Sequence, residues 1–566
     1  MVDILLIQPP VEDFYFTHKR SIPWGLASIA ASLRFHGFSV EILDCLAVAK
    51  SKKIPIPHDM DYLVPLYGKS DISLFSLFHE FRHYGYSFEY VGKIVRDKKP
   101  FLVGISSLFT PYWHTAQECA RYVKKFLPDC FVVMGGHHPT VLPETVMESP
   151  CVDFLLRGDG EVSMPVLARK LISGEDVMDV PGVVARKNGD LGLHISQPAW
   201  IDDLDAIPLP DTSLYNHRFY RRKKRGSTVV VAGRGCPMPC TYCSVGSSSC
   251  HGPFRQRRVE SVLKELELQI FKYDIGFIDF EDENLTLNRK WFLELMDGIT
   301  SLIQGRDVEL RAMNGLYPPS LDMEMIKSMK KAGFKTLNLS LGTVSPVQLG
   351  RFRRKNMVPD FERVLGMASQ CSLDTVSYII AGAPGQSPWD SLGDILYLAS
   401  KPTLVGLSIF YPAPGSVDYG VCLEKGLLPA NFSLMRSSAL PINNSTTRLQ
   451  SATLMRLARI VNFMKSIESD LGWVPSAMPI GNISSLPPSL MVAGDGESLT
   501  KGGDGKSTLK DGSFRKDASL FLLGFFLYDG IIRGVDGSGE VFPHLADMNL
   551  TGRFIERIKD IKPSWS

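Results

Sequence analysis

Arg234-Gly235-Cys236-Pro237-Met238-Pro239-Cys240-Thr241-Tyr242-Cys243 follows directly on the apolar run Thr228-Val229-Val230-Val231. A short β-branched run that ends in glycine and prolines reads as a strand with a tight loop at its carboxyl end. Thiolates spaced Cys-x3-Cys-x2-Cys in such a loop can grip three corners of an iron–sulfur cube. Cubes usually take four cysteines, so three leave one iron open to a reacting ligand. Zinc is the alternative, with Cys250 or His251 as a fourth ligand. A zinc ribbon, however, pairs two Cys-x2-Cys knuckles, and here only Cys240 and Cys243 form one.

Outward from this loop, residues 215–430 alternate strand and helix. Candidate strands are Thr228–Ala232, Gly276–Phe280, Glu309–Met313, Thr336–Leu341, Thr375–Ile380 and Gly406–Tyr411. Six parallel strands with intervening helices predict a partial TIM-like (β/α)6 barrel with its chemistry at the carboxyl-end face. The cysteine loop after the first strand and the acidic Phe280-Glu281-Asp282-Glu283-Asn284 after the second then line one mouth.

Residues 1–205 show the same alternation. Ile4–Gln8, Ser39–Asp44, Phe101–Ser106 and Phe131–Met134 read as strands, and Trp24–His36, Phe88–Arg96 and Thr115–Phe126 as helices. That pattern predicts an α/β, doubly wound Rossmann-like domain that binds ligands at the carboxyl ends of its strands. Residues 431–566 form a smaller, mainly helical region with helices near Ala452–Ile467 and Gly552–Ile561. Its stretch 493–516, rich in Gly, Ser, Asp and Lys, reads as a flexible linker. Gly502-Gly503-Asp504-Gly505-Lys506-Ser507 is not a phosphate loop, because the first required glycine falls at Thr500 and no strand precedes it.

At 566 residues the chain exceeds a single core, and 44% hydrophobic with 22% charged residues is a globular balance. The net charge of +2 gives no general attraction to nucleic acid, and the basic run Arg221–Arg225 reads as a solvated loop. The amino terminus opens on a strand and lacks a basic leader. The longest apolar stretch, Ala518–Tyr528, is interrupted by Gly524 and shorter than the ~20 residues of a membrane span. A cytoplasmic protein is expected, in which a tight cysteine cluster means metal more often than disulfide. The scattered cysteines read as small buried apolar residues.

With Tyr242 before the last cysteine, the loop resembles that of the radical S-adenosylmethionine superfamily. The resemblance implies that Cys236, Cys240 and Cys243 hold a 4Fe-4S cluster. Its open iron then chelates S-adenosyl-L-methionine, whose reductive cleavage yields a 5′-deoxyadenosyl radical. It places Asp282 and Glu283 at the methionyl amino group, with Tyr242 beside the same cofactor. Leu339-Ser340-Leu341-Gly342-Thr343 stands where relatives carry Gly-x-Glu-Ser. The glutamate is absent, which leaves Ser340 and Thr343 as donors. Gly382-x-Pro384-Gly385 and Tyr411-Pro412-x-Pro414-Gly415 resemble the strand ends that pack the adenine, through Gly382 and Pro412.

Pro9-Pro10, Pro23-Trp24-Gly25-Leu26, Gly135-Gly136-x-His138-Pro139-Thr140 and Gly158-Asp159-Gly160-Glu161 occur in that order before the cysteine loop. Together they resemble a cobalamin-binding domain. The resemblance places Pro10, Gly25, Ser106, Gly135, Gly136, His138, Thr140, Gly160 and Glu161 around cobalamin. No Asp-x-His-x-x-Gly motif is present, so no histidine is expected beneath the cobalt.

The combined resemblance implies a methyltransferase that uses a 5′-deoxyadenosyl radical and methylcobalamin to methylate an unactivated carbon of a small-molecule substrate. An electron donor such as a flavodoxin or ferredoxin would serve it, with no nucleic acid and no membrane span. One alternative is a radical cyclase or oxidoreductase that uses cobalamin without net methyl transfer, like the anaerobic cyclase of chlorophyll precursors. The other, of a different class, is a non-catalytic, zinc-stabilised binding protein.

Overall fold

A computed structural model describes residues 2–17, 21–187, 192–222, 224–245, 252–472, 477–478, 485 and 510–561. Cys250, His251 and residues 493–509, singled out above, lie outside the described residues.

The first sheet contains β1 (Ile4–Gln8), β2 (Val40–Asp44), β3 (Leu102–Ser106), β4 (Phe131–Gly135), β5 (Phe154–Leu156), β6 (Val183–Arg186) and β7 (Leu193–Ile195), in the order β7-β6-β5-β4-β3-β1-β2. β1 to β5 run parallel, and β6 and β7 add an antiparallel edge. Alternate residues of β1 feed opposite faces. Ile4 and Leu6 pack with Leu26, Leu33 and Leu167, whereas Leu5 and Ile7 pack with Val91, Val95 and Ala120. Helices on both faces explain why β1 is an unbroken apolar run. Strand order reverses between β1 and β3, which opens a crevice at their carboxyl ends.

The second unit places β8 (Arg225–Val230), β9 (Ile275–Phe280) and β10 (Glu309–Arg311) in one parallel set. β11 (Thr336–Gly342), β12 (Asp374–Ala381) and β13 (Leu404–Ile409) form another. Parallel bridges Leu310↔Phe334 and Leu316↔Leu339 join the two halves, so six strands follow one another in chain order. The expected partial barrel is present, with strand ends shifted by a few residues. Its last strand would expose unpaired backbone groups. Asn462, on the helix Arg448–Leu471, covers that edge by accepting from Val405 N at 2.7 Å and donating to Val405 O at 2.8 Å.

Thr447 and Gln450 form a capping box that starts this helix, as the hydroxyl accepts from Gln450 N and the Gln450 amide oxygen accepts from Thr447 N. The helices Lys510–Asp529 and Met548–Ile561 and a short hairpin, Arg533–Val535 with Val541–Pro543, complete the region. Lys510–Lys516, placed in the linker on composition, is helical. The buried apolar run after it, including Leu522, Leu523 and Phe526, anchors a helix that extends back through these polar residues. The aromatic insertion between β2 and β3 packs into the same core as the barrel through Tyr67, Phe75 and Phe81. Among the described residues no helix is long and apolar enough to cross a membrane.

Candidate active site

The cysteine loop leaves β8 through a short strand, Gly233–Arg234, that pairs antiparallel with Arg255–Gln256. Gly235 turns the chain with φ +85°, and a Cβ there would meet Pro253 O at 2.7 Å, so the turn requires glycine. Cys236, Cys240 and Cys243 are partly accessible thiols in no disulfide. Burial pushes the Cys236 thiol up, while Met238 N–H and Asn284 donate toward it and favour the thiolate. Among the described residues no three His, Cys, Asp or Glu side chains converge as ligands of one ion would. Each thiolate of a cube holds a different iron, a role open to three thiols carried on one loop.

The acidic segment after β9 braces that loop. Asp282 accepts from Ala232 N at 3.1 Å, and Glu283 accepts from Gly235 N at 3.2 Å. Burial pushes the Asp282 carboxyl up to about 8, against the N–H groups of Ala232 and Gly233. Tyr242 hydroxyl accepts from Arg354 at 2.6 Å, and its ring meets Phe352 edge-on at 4.8 Å. Arg354 also donates to Ser340 O at 3.0 Å, which ties the cysteine loop to β11. Gly382 has φ +77° at the end of β12, and Pro412 is buried just beyond β13. The second and fourth strand ends therefore brace the cysteine loop, and Tyr242 packs with Ala383 and Phe410 just beyond the fifth and sixth.

Thr343 turns away from this mouth. Its hydroxyl donates to Asp394 at 3.1 Å inside the protein, and Asp394 also accepts from Val344 N at 2.7 Å. Burial pushes Asp394 up to about 7, against these two donors. An acid raised in the native state holds its proton there while the unfolded chain has lost it. Asp394 thus favours folding below about pH 4, and that contribution is lost as pH rises to about 7. Asp394→Asn is expected to flatten the fall in urea midpoint between pH 5 and pH 8. The slope removed is about 1.4 kcal/mol per pH unit for one full proton, and an unchanged slope would contradict this.

The expected cobalamin residues cluster at the carboxyl ends of the first sheet. Pro10 follows β1, and Ser106 pairs in register with Gly135 across β3 and β4. Gly136 has φ +118°, and a Cβ there would meet Ser107 O at 2.6 Å. Thr140 hydroxyl donates to Gly136 O at 2.8 Å and accepts from Gly158 N at 3.2 Å. Gly25 lies exposed in the first turn of the helix Trp24–Phe35. Gly160 opens the helix Gly160–Ser173, where a Cβ would press on Ile29 at 3.0 Å. His138 is fully buried between Trp113 and Phe432, and burial lowers it to about 4. Its Nδ1 contacts Thr110 hydroxyl at 3.2 Å, whereas its Nε2 and the nearby Ser107 hydroxyl are buried without partners. Orphaned polar atoms beside the switch-point crevice fit a ligand rich in hydrogen-bonding groups.

One pairing joins the two units. Arg234 donates to Asp159 at 2.7 Å and to Glu161 at 2.5 Å, and Arg255 donates to Asp159 at 2.6 Å and to Ile201 O at 2.6 Å. Burial alone would raise Asp159, but the two guanidinium groups hold it below the usual carboxylate range. Glu161 also accepts from Ser28 at 2.8 Å. The Gly158–Glu161 loop therefore grips arginines of the two strands that flank the cysteine loop. Arg234, Arg255 and Arg354 escaped the sequence reading, although Arg234 sits inside the decisive stretch, because their partners lie far away in the chain.

Comparison with known proteins bears on this arrangement. Residues 75–168 match the B12 binding domain and residues 230–395 the radical SAM superfamily. An uncharacterised methyltransferase of Pyrococcus horikoshii is 30% identical over 68% of this chain and 75% of its own length. The anaerobic magnesium-protoporphyrin IX monomethyl ester cyclase of Cereibacter sphaeroides is 25% identical over 58% of this chain, which spans only 54% of that protein. The solved radical S-adenosylmethionine methyltransferase TsrM of Kitasatospora setae, with cobalamin and a [4Fe-4S] cluster bound, aligns with TM-score 0.56 at 17% identity. The alignment covers 75% of this chain and 78% of that one, a likeness of fold. The cofactors are a 4Fe-4S cluster, S-adenosyl-L-methionine and cobalamin. From its two matched domains, their order and its similarity to the archaeal methyltransferase, the chain belongs to the cobalamin-binding radical S-adenosylmethionine enzymes.

Proposed function

We propose that this enzyme transfers a methyl group from S-adenosyl-L-methionine to an unactivated carbon of a small-molecule substrate. The observation that carries the reading is the Arg234–Asp159–Glu161 contact. It sets the loops of the first sheet against the cysteine loop, so that two cofactors can serve one cavity. When bound, the cofactors supply a 5′-deoxyadenosyl radical at the cluster and a transferable methyl group at cobalt.

The chain's own residues then hold, orient and exclude water. Cys236, Cys240 and Cys243 carry the cluster, and Gly235, braced by Glu283, sets their loop. Glu283 and Asp282 would hold the methionyl ammonium, and Tyr242, Ser340, Gly382 and Pro412 would bind the rest of the molecule. Thr343 acts through Asp394 by fixing the loop after β11. Pro10, Ser106, Gly135, Gly136 and His138 line the cobalamin crevice. Thr140, Gly160 and Glu161 shape it from behind, and Gly25 borders it. His138, enclosed by Trp113 and Phe432, would line the crevice without ligating cobalt. Each radical cleavage consumes one electron, supplied by a small electron-transfer protein of the cytoplasm.

The archaeal relative and TsrM are both named as methyltransferases, which supports methyl transfer. Similarity to the cyclase favours a second reading, oxidation or ring closure without methyl transfer. Turnover with S-adenosyl-L-methionine bearing a deuterated methyl group separates them. The product is expected to gain one labelled methyl group, and an unlabelled oxidised or rearranged product would overturn methyl transfer.

A further inference from the structure

The loop between Cys240 and Cys243 is held from outside by two surface segments. Thr241 N donates to Phe352 O at 3.2 Å, and the single Thr241 hydroxyl proton is shared between Arg351 O and Asp418, each at 3.1 Å. Asp418 N in turn donates to Thr241 O at 2.9 Å. The surface made by these segments is thus one hydrogen bond from the residues flanked by two of the three thiols. Electron tunnelling weakens exponentially with distance, so a reductant must dock where its acceptor lies nearest the surface.

The same surface has an unusual composition. Arg351-Phe352-Arg353-Arg354-Lys355 sets four cations around one aromatic ring. Phe352 is 1% exposed, and Arg354 is spent on Tyr242 and Ser340. These two anchors leave Arg351, Arg353 and Lys355 exposed, and Arg353 adopts φ +50° at the turn between them. Arg351 donates to Gly385 O and Gln348. Among the described residues none of the three exposed cations meets a carboxylate at ion-pair distance. On neighbouring helices, by contrast, Arg363 pairs with Asp360 and Lys401 with Glu362. Asp418, whose carboxylate the Arg353 charge favours, forms no ion pair at contact distance among the described residues and is hydrogen-bonded to Thr241. Val347, 65% exposed, and Val417, 45% exposed, add apolar contact beside the cations.

We propose that this face, built from Val347, Arg353, Lys355 and Val417, docks the small acidic protein that reduces the cluster. The inference rests on the proposed radical reading and deepens it by giving the reductant a binding surface. Unpaired cations around a modest apolar centre suit a transient, electrostatically steered complex with an acidic partner. In the step itself, the partner's flavin hydroquinone or iron–sulfur centre is oxidised by one electron and the cluster is reduced by one. No bond in this chain forms or breaks. A nucleic acid would need a longer basic stripe, which a chain with net charge +2 does not offer.

The test is anaerobic stopped-flow reduction of the reconstituted enzyme by flavodoxin hydroquinone, by reduced ferredoxin and by dithionite, each over a range of salt. For Arg353→Glu/Lys355→Glu, the bimolecular rate with at least one protein donor is expected to fall about tenfold or more and to lose its salt dependence. The faster wild-type donor identifies the partner type. Dithionite reduction and dithionite-driven 5′-deoxyadenosine formation are expected to stay within about twofold, as contact-free surface changes allow. Unchanged rates and salt slopes with both proteins would overturn the docking face while leaving the cluster intact. An equal loss with dithionite would overturn it too, by showing a structural effect. Failure of the unaltered chain to assemble a reducible cluster would instead sink the radical reading beneath it.

Discussion

Arg234→Met is expected to destabilise the folded enzyme by about 3–5 kcal/mol, because it strands a buried carboxylate. Glu161 is 4% exposed, and its other side-chain partner is the Ser28 hydroxyl. Removing the guanidinium leaves that charge with one neutral donor in a poorly solvated site. Asp159 suffers less, since Arg255 still reaches it at 2.6 Å. The urea midpoint of Arg234→Met measures the loss, and the double variant Arg234→Met/Glu161→Gln checks its cause. Neutralising both partners is expected to recover a large part of the lost stability, since the penalty lies in the unpaired charge and not in the missing pair. Equal destabilisation in single and double variants would show that Arg234 acts by packing against Trp24, whose ring lies 5.7 Å from the guanidinium.

Cys240→Ala is expected to abolish assembly of the iron cube and, with it, formation of 5′-deoxyadenosine. A four-iron cluster held by three thiolates has no protein ligand to spare. Burial is only partial at the three cysteines. Iron content and the visible absorption of the anaerobically reconstituted variant give the readout. Both are expected to fall well below the roughly four irons per chain of an intact cube, and nucleoside release to fall to background. The surrounding fold should survive, because Thr241 and Tyr242 keep the loop tied to Phe352, Asp418 and Arg354. A variant that retains the cube and wild-type cleavage would contradict the assignment of these thiols.

Local chemistry made much of the fold legible. β1 reads as a buried parallel strand because Ile4–Ile7 is apolar without interruption, whereas β11 carries its apolar residues at alternate positions. The cysteine loop was readable because its ligands lie within one turn of chain. Strand ends shifted by a few residues, since the last ladder hydrogen bonds depend on neighbours from distant segments. Thr343 shows the limit at the site. Its position after β11 resembles a ligand-facing one, but Asp394, 51 residues onward, supplies an acceptor that draws the hydroxyl inward. Likewise the Gly158–Glu161 loop resembles a cofactor loop, and only the folded chain reveals that its acids bind Arg234 and Arg255 across 73 to 96 residues.

Spacing alone, then, determined the cluster motif, the alternation of strand and helix, and the order of the two units, because periodicity and ligand separation act over a few residues. The tertiary structure decided which acids brace the cysteine loop, which arginines lock the first sheet against the barrel, and which cations stay unpaired on the surface above Thr241. Charge pairing is a through-space interaction whose strength follows distance and burial. Both quantities exist only once segments remote in the chain have packed together.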